Sequence, residues 1–233
     1  RVLFRSINYG FDREKMLRFL RNNMANPGTD GFVPTGSPGF LKKTSYGYNY
    51  NPEKAKQLLK EAGYPNGNGL PLITLSTTNS YLDLCEFIQG QLAEIGIKIK
   101  VEVNQAAQHR QMVAKHQLSW FRGSWIADYS DPENYLSLFY SKNESPNGPN
   151  YTHFKSLEFD KLYNDAMQTQ NDSTRFIKYH QLDSMVMNQA PVVILYYDKA
   201  LRLYQNNIEN LGINPLNLLV LKKVKKISLS NQQ

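Results

Sequence analysis

The sequence predicts an α/β fold in which a mixed β-sheet is flanked by helices. Residues 72–77 are predicted as a strand and residues 81–94 as a helix, and residues 97–103 alternate with the period of two that is typical of a strand. A strand, a helix and a strand joined by short links form a βαβ unit, so these two strands should run parallel with a right-handed crossover. A further core strand is predicted at residues 118–124.

The first part of the chain is predicted to contain an extended entry and two capped helices. Residues 1–9 alternate loosely, which predicts a strand or an extended segment. A helix is predicted over residues 12–23, with Asp12 as its N-cap. After a long loop rich in Gly and Pro, Asn51 caps the next helix and Gly63 ends it.

The second half of the chain is predicted to be mainly helical. The predicted helices cover residues 105–115, 132–139, 157–168 and 172–189, and an apolar strand follows at residues 190–197. In the first of these helices and just after it, His109 and His116 should lie roughly on one face. No acidic or thiol partner accompanies them at ligand spacing, so we expect no metal site and no cofactor.

Composition restricts the class of protein. The 233 residues are enough for one large or two small domains, and the 41% hydrophobic content is that of an ordinary globular protein. Apolar runs such as residues 191–195 are far too short to span a bilayer. No signal peptide is visible, and the chain begins at Arg1 without Met, so we expect a fragment or a processed chain.

The single cysteine and the basic charge carry little functional information. Cys85 excludes an internal disulfide and a cysteine-based zinc site, and its amphipathic helical surroundings predict a buried thiol. The net charge is +7, from 27 Lys and Arg against 20 Asp and Glu, and the basic residues are dispersed except at residues 222–226. A solvated edge strand explains that cluster better than a nucleic-acid patch does.

Residues 121–132 combine more chemistry than any other short stretch. Within a few residues they offer a cation, a glycine, two aromatic rings and two carboxylates, carried by Arg122, Gly123, Trp125, Asp128, Tyr129 and Asp131. Asp131 is a candidate N-cap for the next helix, with Pro132 at its first position. The stretch therefore places polar groups at the end of a strand, where ligand crevices of α/β proteins form.

This stretch resembles a signature of one transport family. Arg122, Trp125, the run 127–129 and Asp131-Pro132 look like the "GW-x-ADY-x-DP" motif of the peptide-binding proteins that serve ABC importers, solute-binding protein family 5. Further segments resemble the same family in the same order along the chain, at residues 7–17, 51–65, 88–102, 153–160 and 190–197. The second of these has Asn51 where the family's capping residue is Asp, and the fourth has Leu157 where Pro is usual.

The resemblance implies a two-lobed receptor that closes about a hinge on a peptide. Residues 1–195 would form the second, C-terminal lobe, a periplasmic-binding-protein-like α/β unit. Residues 196–233 would form the hinge return and a tail that packs on the first lobe. We expect a monomer that delivers peptides to a membrane permease, acts outside the cytoplasm as a periplasmic protein or a cell-surface lipoprotein, and binds no nucleic acid.

The resemblance also implies roles for individual side chains. Asp128 would hold the α-ammonium group of the peptide, with Trp125 and Tyr129 as flanking walls, and Arg122 would meet the peptide carboxylate. His153 is a further candidate ligand-binding residue. Two plainer alternatives stay open: Asp128 satisfies backbone donors in the turn before Pro132, and Arg122 forms a salt bridge to a neighbouring acid.

Two other classes of function compete with a binding protein. A hydrolase would use Asp128 and Asp131 as a carboxylate pair, but the sequence has no Gly-x-Ser-x-Gly, His-Glu-x-x-His or Gly-rich phosphate motif. A capping carboxylate is also stabilised as an anion by backbone N–H groups, so Asp131 would be a poor acid. A basic interaction domain rests only on the net charge of +7. We therefore expect no catalytic activity.

Overall fold

The computed structural model describes residues 2–42, 44–213, 216 and 218–228. Its α-helices are α1 (Val2–Tyr9), α2 (Arg13–Leu20), α3 (Pro52–Glu61), α4 (Leu82–Ala93), α5 (Ala106–Ala114), α6 (Glu133–Leu136), α7 (Leu157–Gln168) and α8 (Asp172–Gln189). Its strands are β1 (Ala25–Pro27), β2 (Ile73–Thr78), β3 (Ile99–Asn104), β4 (Tyr196–Asp198), β5 (Ile208–Glu209) and β6 (Lys225–Lys226). Short 3₁₀ helices occupy Pro65–Gly67, Asn79–Tyr81, Ser137–Phe139 and Ser141–Asn143.

The chain begins with a helix, so the predicted extended segment at residues 1–9 is wrong; Arg1 itself lies outside the described residues. Ile7 is fully buried on the inner face of α1. The buried Ser6 hydroxyl donates to the Ala55 carbonyl of α3 at 2.7 Å. Because this helix is stabilised by packing against a segment almost fifty residues away, its local sequence pattern was a poor guide to its conformation.

Capping residues set the starts of α2 and α3 as predicted. The Asp12 carboxylate accepts from Lys15 N at 2.9 Å at the start of α2, and the Asn51 side chain accepts from Lys54 N at 2.9 Å at the start of α3. The long helices α7 and α8 cover the same residues as predicted, with Ser156 as N-cap of α7. The helices of the predicted α/β fold are therefore confirmed.

The predicted βαβ unit is confirmed, because β2 and β3 pair in parallel through α4 with Ile73 opposite Ile99. The predicted strand at residues 118–124 is wrong. It is reduced to an isolated parallel bridge between Ser76 and Phe121. Pairing stops there because the next carbonyl, that of Arg122, lies 3.1 Å from His109 Nε2 instead of bonding to β2.

The parallel and antiparallel pairings occur in separate sheets instead of one mixed sheet. Among the described residues the strands form three two-stranded sheets, of which β1–β4 and β5–β6 are antiparallel. The predicted strand at residues 190–197 contributes only its end, since β4 begins at Tyr196. The predicted edge strand at residues 222–226 is shorter in the structure, where only the exposed β6 forms. Residues 214, 215, 217 and 229–233 of the predicted tail lie outside the described residues.

Two apolar clusters form the core. The first joins α1–α4 with β2 and β3 and includes the buried thiol of Cys85, as predicted. The second joins α6, α7 and α8 around Phe139, Phe159 and Leu182. In the part of the chain that the structure describes, no helix is both long and apolar enough to cross a membrane.

Candidate functional site

The predicted site lies on the segment that leaves the βαβ unit. Ser76 N donates to the Trp120 carbonyl at 3.0 Å, and Arg122 N donates to the Ser76 carbonyl at 2.8 Å. Because Phe121 pairs with Ser76 in parallel, the residues that follow run toward the carboxyl end of β2. The site residues after Arg122 therefore project from the sheet edge where α/β proteins bind ligands.

The segment also connects the two core clusters. Trp120 packs against the first cluster and Trp125 against the second. Between Arg122 and Pro132 the backbone forms no helix or strand. Its conformation therefore depends on the backbone and side-chain contacts at its two ends.

Arg122 is held by an aromatic ring. Its guanidinium carbon lies 3.2 Å from the centroid of the Tyr81 ring, and Nη1 donates to Ser124 Oγ at 3.5 Å. Within the described residues no acid pairs with Arg122, so the predicted alternative of a salt bridge gains no support there. A cation that lies on a ring and has no carboxylate partner retains donors for an anionic group.

Trp125 is half-buried and its indole N–H is satisfied. Nε1 donates to Asn134 Oδ1 at 2.7 Å. This bond fixes the plane of the ring, because the ring also packs against the second core cluster. The Trp125 ring is therefore held in one orientation.

Asp128 has an exposed carboxylate with no partner in the described parts of the chain. Its backbone N–H donates to Asn134 Oδ1 at 3.3 Å, but neither carboxylate oxygen accepts a hydrogen bond or forms an ion pair there. The backbone donor in the turn before α6 is instead bonded by Asp131, whose Oδ1 accepts from Glu133 N at 2.9 Å. α6 starts at Glu133, one residue later than predicted, with Pro132 at its N-cap position; Asp131 nevertheless bonds the first N–H of the helix.

Tyr129 completes this group. Its ring is 48% exposed, and its hydroxyl donates to Glu133 Oε2, while the Tyr163 hydroxyl donates to Glu133 Oε1. Burial and the bond to Glu133 raise the pKa of Tyr129, so its hydroxyl stays protonated at neutral pH. Glu133 thus connects the site to α7.

His153 lies in a different local network. Its Nδ1 is 2.8 Å from Glu144 Oε1, and its Nε2 is 3.1 Å from Ser145 Oγ. Its ring contacts the His116 ring, with centroids 3.7 Å apart. No contact places it with Asp128 in the described structure.

The predicted common face of His109 and His116 is wrong. α5 ends at Ala114, and His116 lies beyond it with a left-handed φ of 54°. His109 is buried beneath Arg122, whereas His116 contacts His153. Among the described residues no group of three or more His, Cys, Asp or Glu side chains could hold a metal ion.

Sequence reasoning missed Asn134 and the pair of Glu133 and Tyr163. Asn134 is 4% exposed in α6, and its burial and its bonds to the aromatic motif are visible only in the structure. Tyr163 is 30 residues from Glu133, and no local pattern reports that contact.

Comparison with known proteins agrees with this architecture. Residues 5–147 match the family model "Bacterial extracellular solute-binding proteins, family 5 Middle", which covers more than half of the chain. The chain therefore belongs to family 5 of the bacterial extracellular solute-binding proteins. The family and the fold are those of solute-binding proteins and not of enzymes.

Individual relatives bind different cargoes. Over 191 residues the chain is 31% identical to the heme-binding protein A of Haemophilus influenzae, covering 80% of this chain and 34% of that protein. It is 29% identical over 230 residues to the dipeptide-binding protein DppE of Bacillus subtilis, covering 92% of this chain and 40% of that protein. The chain thus spans between a third and a half of the length of these relatives.

Solved structures show the same fold. The periplasmic binding protein DppA from Helicobacter pylori, in complex with the peptide STSA, superposes with a TM-score of 0.77 at 28% identity, over 84% of this chain and 38% of that one. HbpA2 from Haemophilus parasuis superposes with a TM-score of 0.81 at 21% identity, over 97% of this chain and 45% of that one. The periplasmic-binding-protein-like fold is thereby confirmed.

Proposed function

We propose that this chain is the second lobe of a peptide receptor that delivers its ligand to an ABC importer in the membrane. The observation that carries the proposal is the exposed Asp128 carboxylate, which has no partner in the described structure and lies between Trp125 and Tyr129 in the sequence. A carboxylate held in this way suits an α-ammonium group, which has three donors and a full positive charge. Membership of the solute-binding family supports the same conclusion.

Each side chain of the site has a task in this proposal. Asp128 pairs with the α-ammonium, and Trp125 and Tyr129 exclude water around the pair, which strengthens it. Arg122 uses its remaining donors for a carboxylate of the peptide. The His153 side chain is bonded to Glu144 and Ser145 and not to the other site residues. We keep it as a candidate ligand contact because its segment resembles the family.

The chain would divide into a lobe at residues 1–195 and a returning segment at residues 196–233. This division is supported by the apolar side chains that the returning segment leaves exposed, which a second lobe would cover. They are Leu201, Leu203, Tyr204, Ile213, Leu218, Leu219, Val220 and Leu221. The receptor would act as a monomer, as a periplasmic protein or a cell-surface lipoprotein.

The hydrolase alternative is disfavoured by how the second carboxylate is used. Asp131 accepts the backbone N–H of Glu133, and its other oxygen lies 3.6 Å from Arg175 Nη2. Because Asp131 is already bonded to a backbone N–H and lies near a cation, Asp128 and Asp131 do not form a free pair of carboxylates for general acid–base catalysis.

Native mass spectrometry of the intact protein, purified without denaturant, tests the proposed ligand class. We expect bound masses that fragment into amino-acid residues. Their dissociation should return the mass of the unliganded protein. A bound sugar or metal chelate without any peptide would contradict the proposal.

A further inference from the structure

Asn134 is in contact with three of the predicted site residues at once. It lies in α6 and is 4% exposed. Its Oδ1 accepts from Trp125 Nε1 at 2.7 Å and from Asp128 N at 3.3 Å. Its side chain also lies near Tyr129 and acts to lower the pKa of that phenol, against the larger opposing effects of burial and Glu133. One buried amide therefore touches the carboxylate residue and both aromatic walls.

The orientation of this amide follows from its partners. An indole N–H and a backbone N–H can only donate, so the atom that faces them must be the carbonyl oxygen of Asn134. The Tyr129 hydroxyl donates separately to Glu133 Oε2. The Asn134 oxygen therefore joins the Trp125 ring to the Asp128 backbone through two hydrogen bonds.

The segment before α6 needs such an anchor. It forms no helix or strand between Arg122 and Pro132. At its start Arg122 N is bonded to the Ser76 carbonyl. Near its end Asp128 N is bonded to Asn134. The Asp128 side chain itself has no partner among the described residues, so its position depends on how firmly its backbone is held.

We propose that Asn134 is a positioning residue that fixes the Asp128 carboxylate and the Trp125 ring relative to each other for recognition of a ligand's α-ammonium group. This inference rests on the proposed function. A pre-organised carboxylate gains affinity because less ordering is left to occur on binding. Loss of the amide should therefore reduce the preference for a free α-amine more than it reduces general affinity.

Three substitutions separate positioning from simple structural support. Asn134→Leu removes the acceptor oxygen with little change in shape. Asn134→Asp keeps an acceptor for both N–H groups. Asn8→Leu is the matched control, because Asn8 is fully buried in α1, where its Nδ2 donates to the Phe4 and Val192 carbonyls and its Oδ1 accepts from Arg13 Nη2 instead of from a site residue.

The readout is the ratio of dissociation constants for an N-acetylated tripeptide and the same tripeptide with a free amine, measured by calorimetry on the intact protein. Asn134→Leu should lower this ratio about tenfold. Asn134→Asp should keep it within about threefold of the wild type, since both donors stay paired. Asn8→Leu should lower the melting temperature and leave the ratio unchanged.

The outcomes distinguish this inference from the proposed function. A wild-type ratio near one contradicts both. A high wild-type ratio that persists in folded Asn134→Leu contradicts the inference alone, and so does an equal fall of the ratio in Asn8→Leu.

A second measurement needs no variant at position 134. The indole N–H resonance of Trp125 is assigned as the peak that Trp125→Phe removes from the spectrum of the intact protein. That proton should exchange with solvent more slowly than an exposed indole, and free peptide should shift its resonance more than acetylated peptide does. Fast exchange or equal shifts would overturn the inference, even if Asn134→Leu does not fold.

Discussion

Asp128 and Asp131 are three residues apart and have opposite surroundings. Asp131 accepts a backbone N–H at the start of α6 and lies near Arg175, as a capping acid should. Asp128 is exposed, and its carboxylate has no partner among the described residues. The capping role was predictable from the Asp-Pro pair, because capping is a local property. The resemblance implied a ligand role for Asp128, but the bond between its backbone N–H and Asn134 is visible only in the structure.

Arg122 offers a test of how the ligand's carboxylate is held. Arg122→Ala should weaken binding of short peptides with a free C-terminal carboxylate by about tenfold or more, because a charge-assisted pair is lost. Arg122→Lys should recover only part of this, since lysine lacks the two-pronged donor geometry. Calorimetry with matched C-terminal amides is the control. If Arg122→Ala binds peptides of every length as tightly as the wild type, Arg122 does not contact the ligand.

Asp183 offers a test of stability against pH. It is 4% exposed, it accepts from Phe32 N at 2.7 Å, and burial raises its pKa from 3.8 to about 7. Because the folded state then binds more protons than the unfolded state, the free energy of unfolding should fall as pH rises from about 4 to about 7, by at most about 4 kcal/mol. Asp183→Asn keeps the acceptor and should remove this contribution.

Urea unfolding of the wild type and of Asp183→Asn at a series of pH values measures the effect. The difference between the two proteins isolates Asp183 from the other acids. A difference that does not change between pH 4 and pH 7 would show that burial does not raise the pKa of this carboxyl.

At the scale of elements, the sequence was informative where local chemistry decides. Capped, amphipathic helices such as α7 and α8 were predicted with their bounds, and the alternating pattern of β3 predicted its pairing. α1 was missed because contacts with α3 stabilise it. The strand predicted at residues 118–124 does not continue past Phe121, because the Arg122 carbonyl is bonded to His109 Nε2 and not to β2.

The start of α6 can be tested directly. Asp131→Ala removes the acceptor for Glu133 N and should lower the free energy of unfolding by about 1 kcal/mol, the usual cost of a lost N-cap. Asp131→Asn keeps that acceptor and should cost less than about half as much. Urea unfolding of the two variants gives the comparison. Equal losses would assign the effect to the charge and its contact with Arg175.

At the scale of the whole molecule, the site segment joins two cores. Trp120 packs on one cluster and Trp125 on the other, so the segment is held where the β2–β3 unit meets the helical half. The family could be predicted from the order of motifs along the chain, and residues 5–147 match its model. The separation of the sheets could not be predicted, because pairing partners such as β1 and β4 are distant in the sequence.

The most direct test of the account is calorimetry on the intact protein with a free tripeptide and its N-acetylated form. Asp128→Asn should weaken binding of the free peptide by at least about tenfold and leave the acetylated peptide nearly unaffected, because only the α-ammonium loses its partner. Asp165→Asn is the matched control, since it removes one acidic charge from an exposed position on α7. Equal affinity of the wild type for the two peptides, or an equal loss for both in Asp128→Asn, would contradict the account.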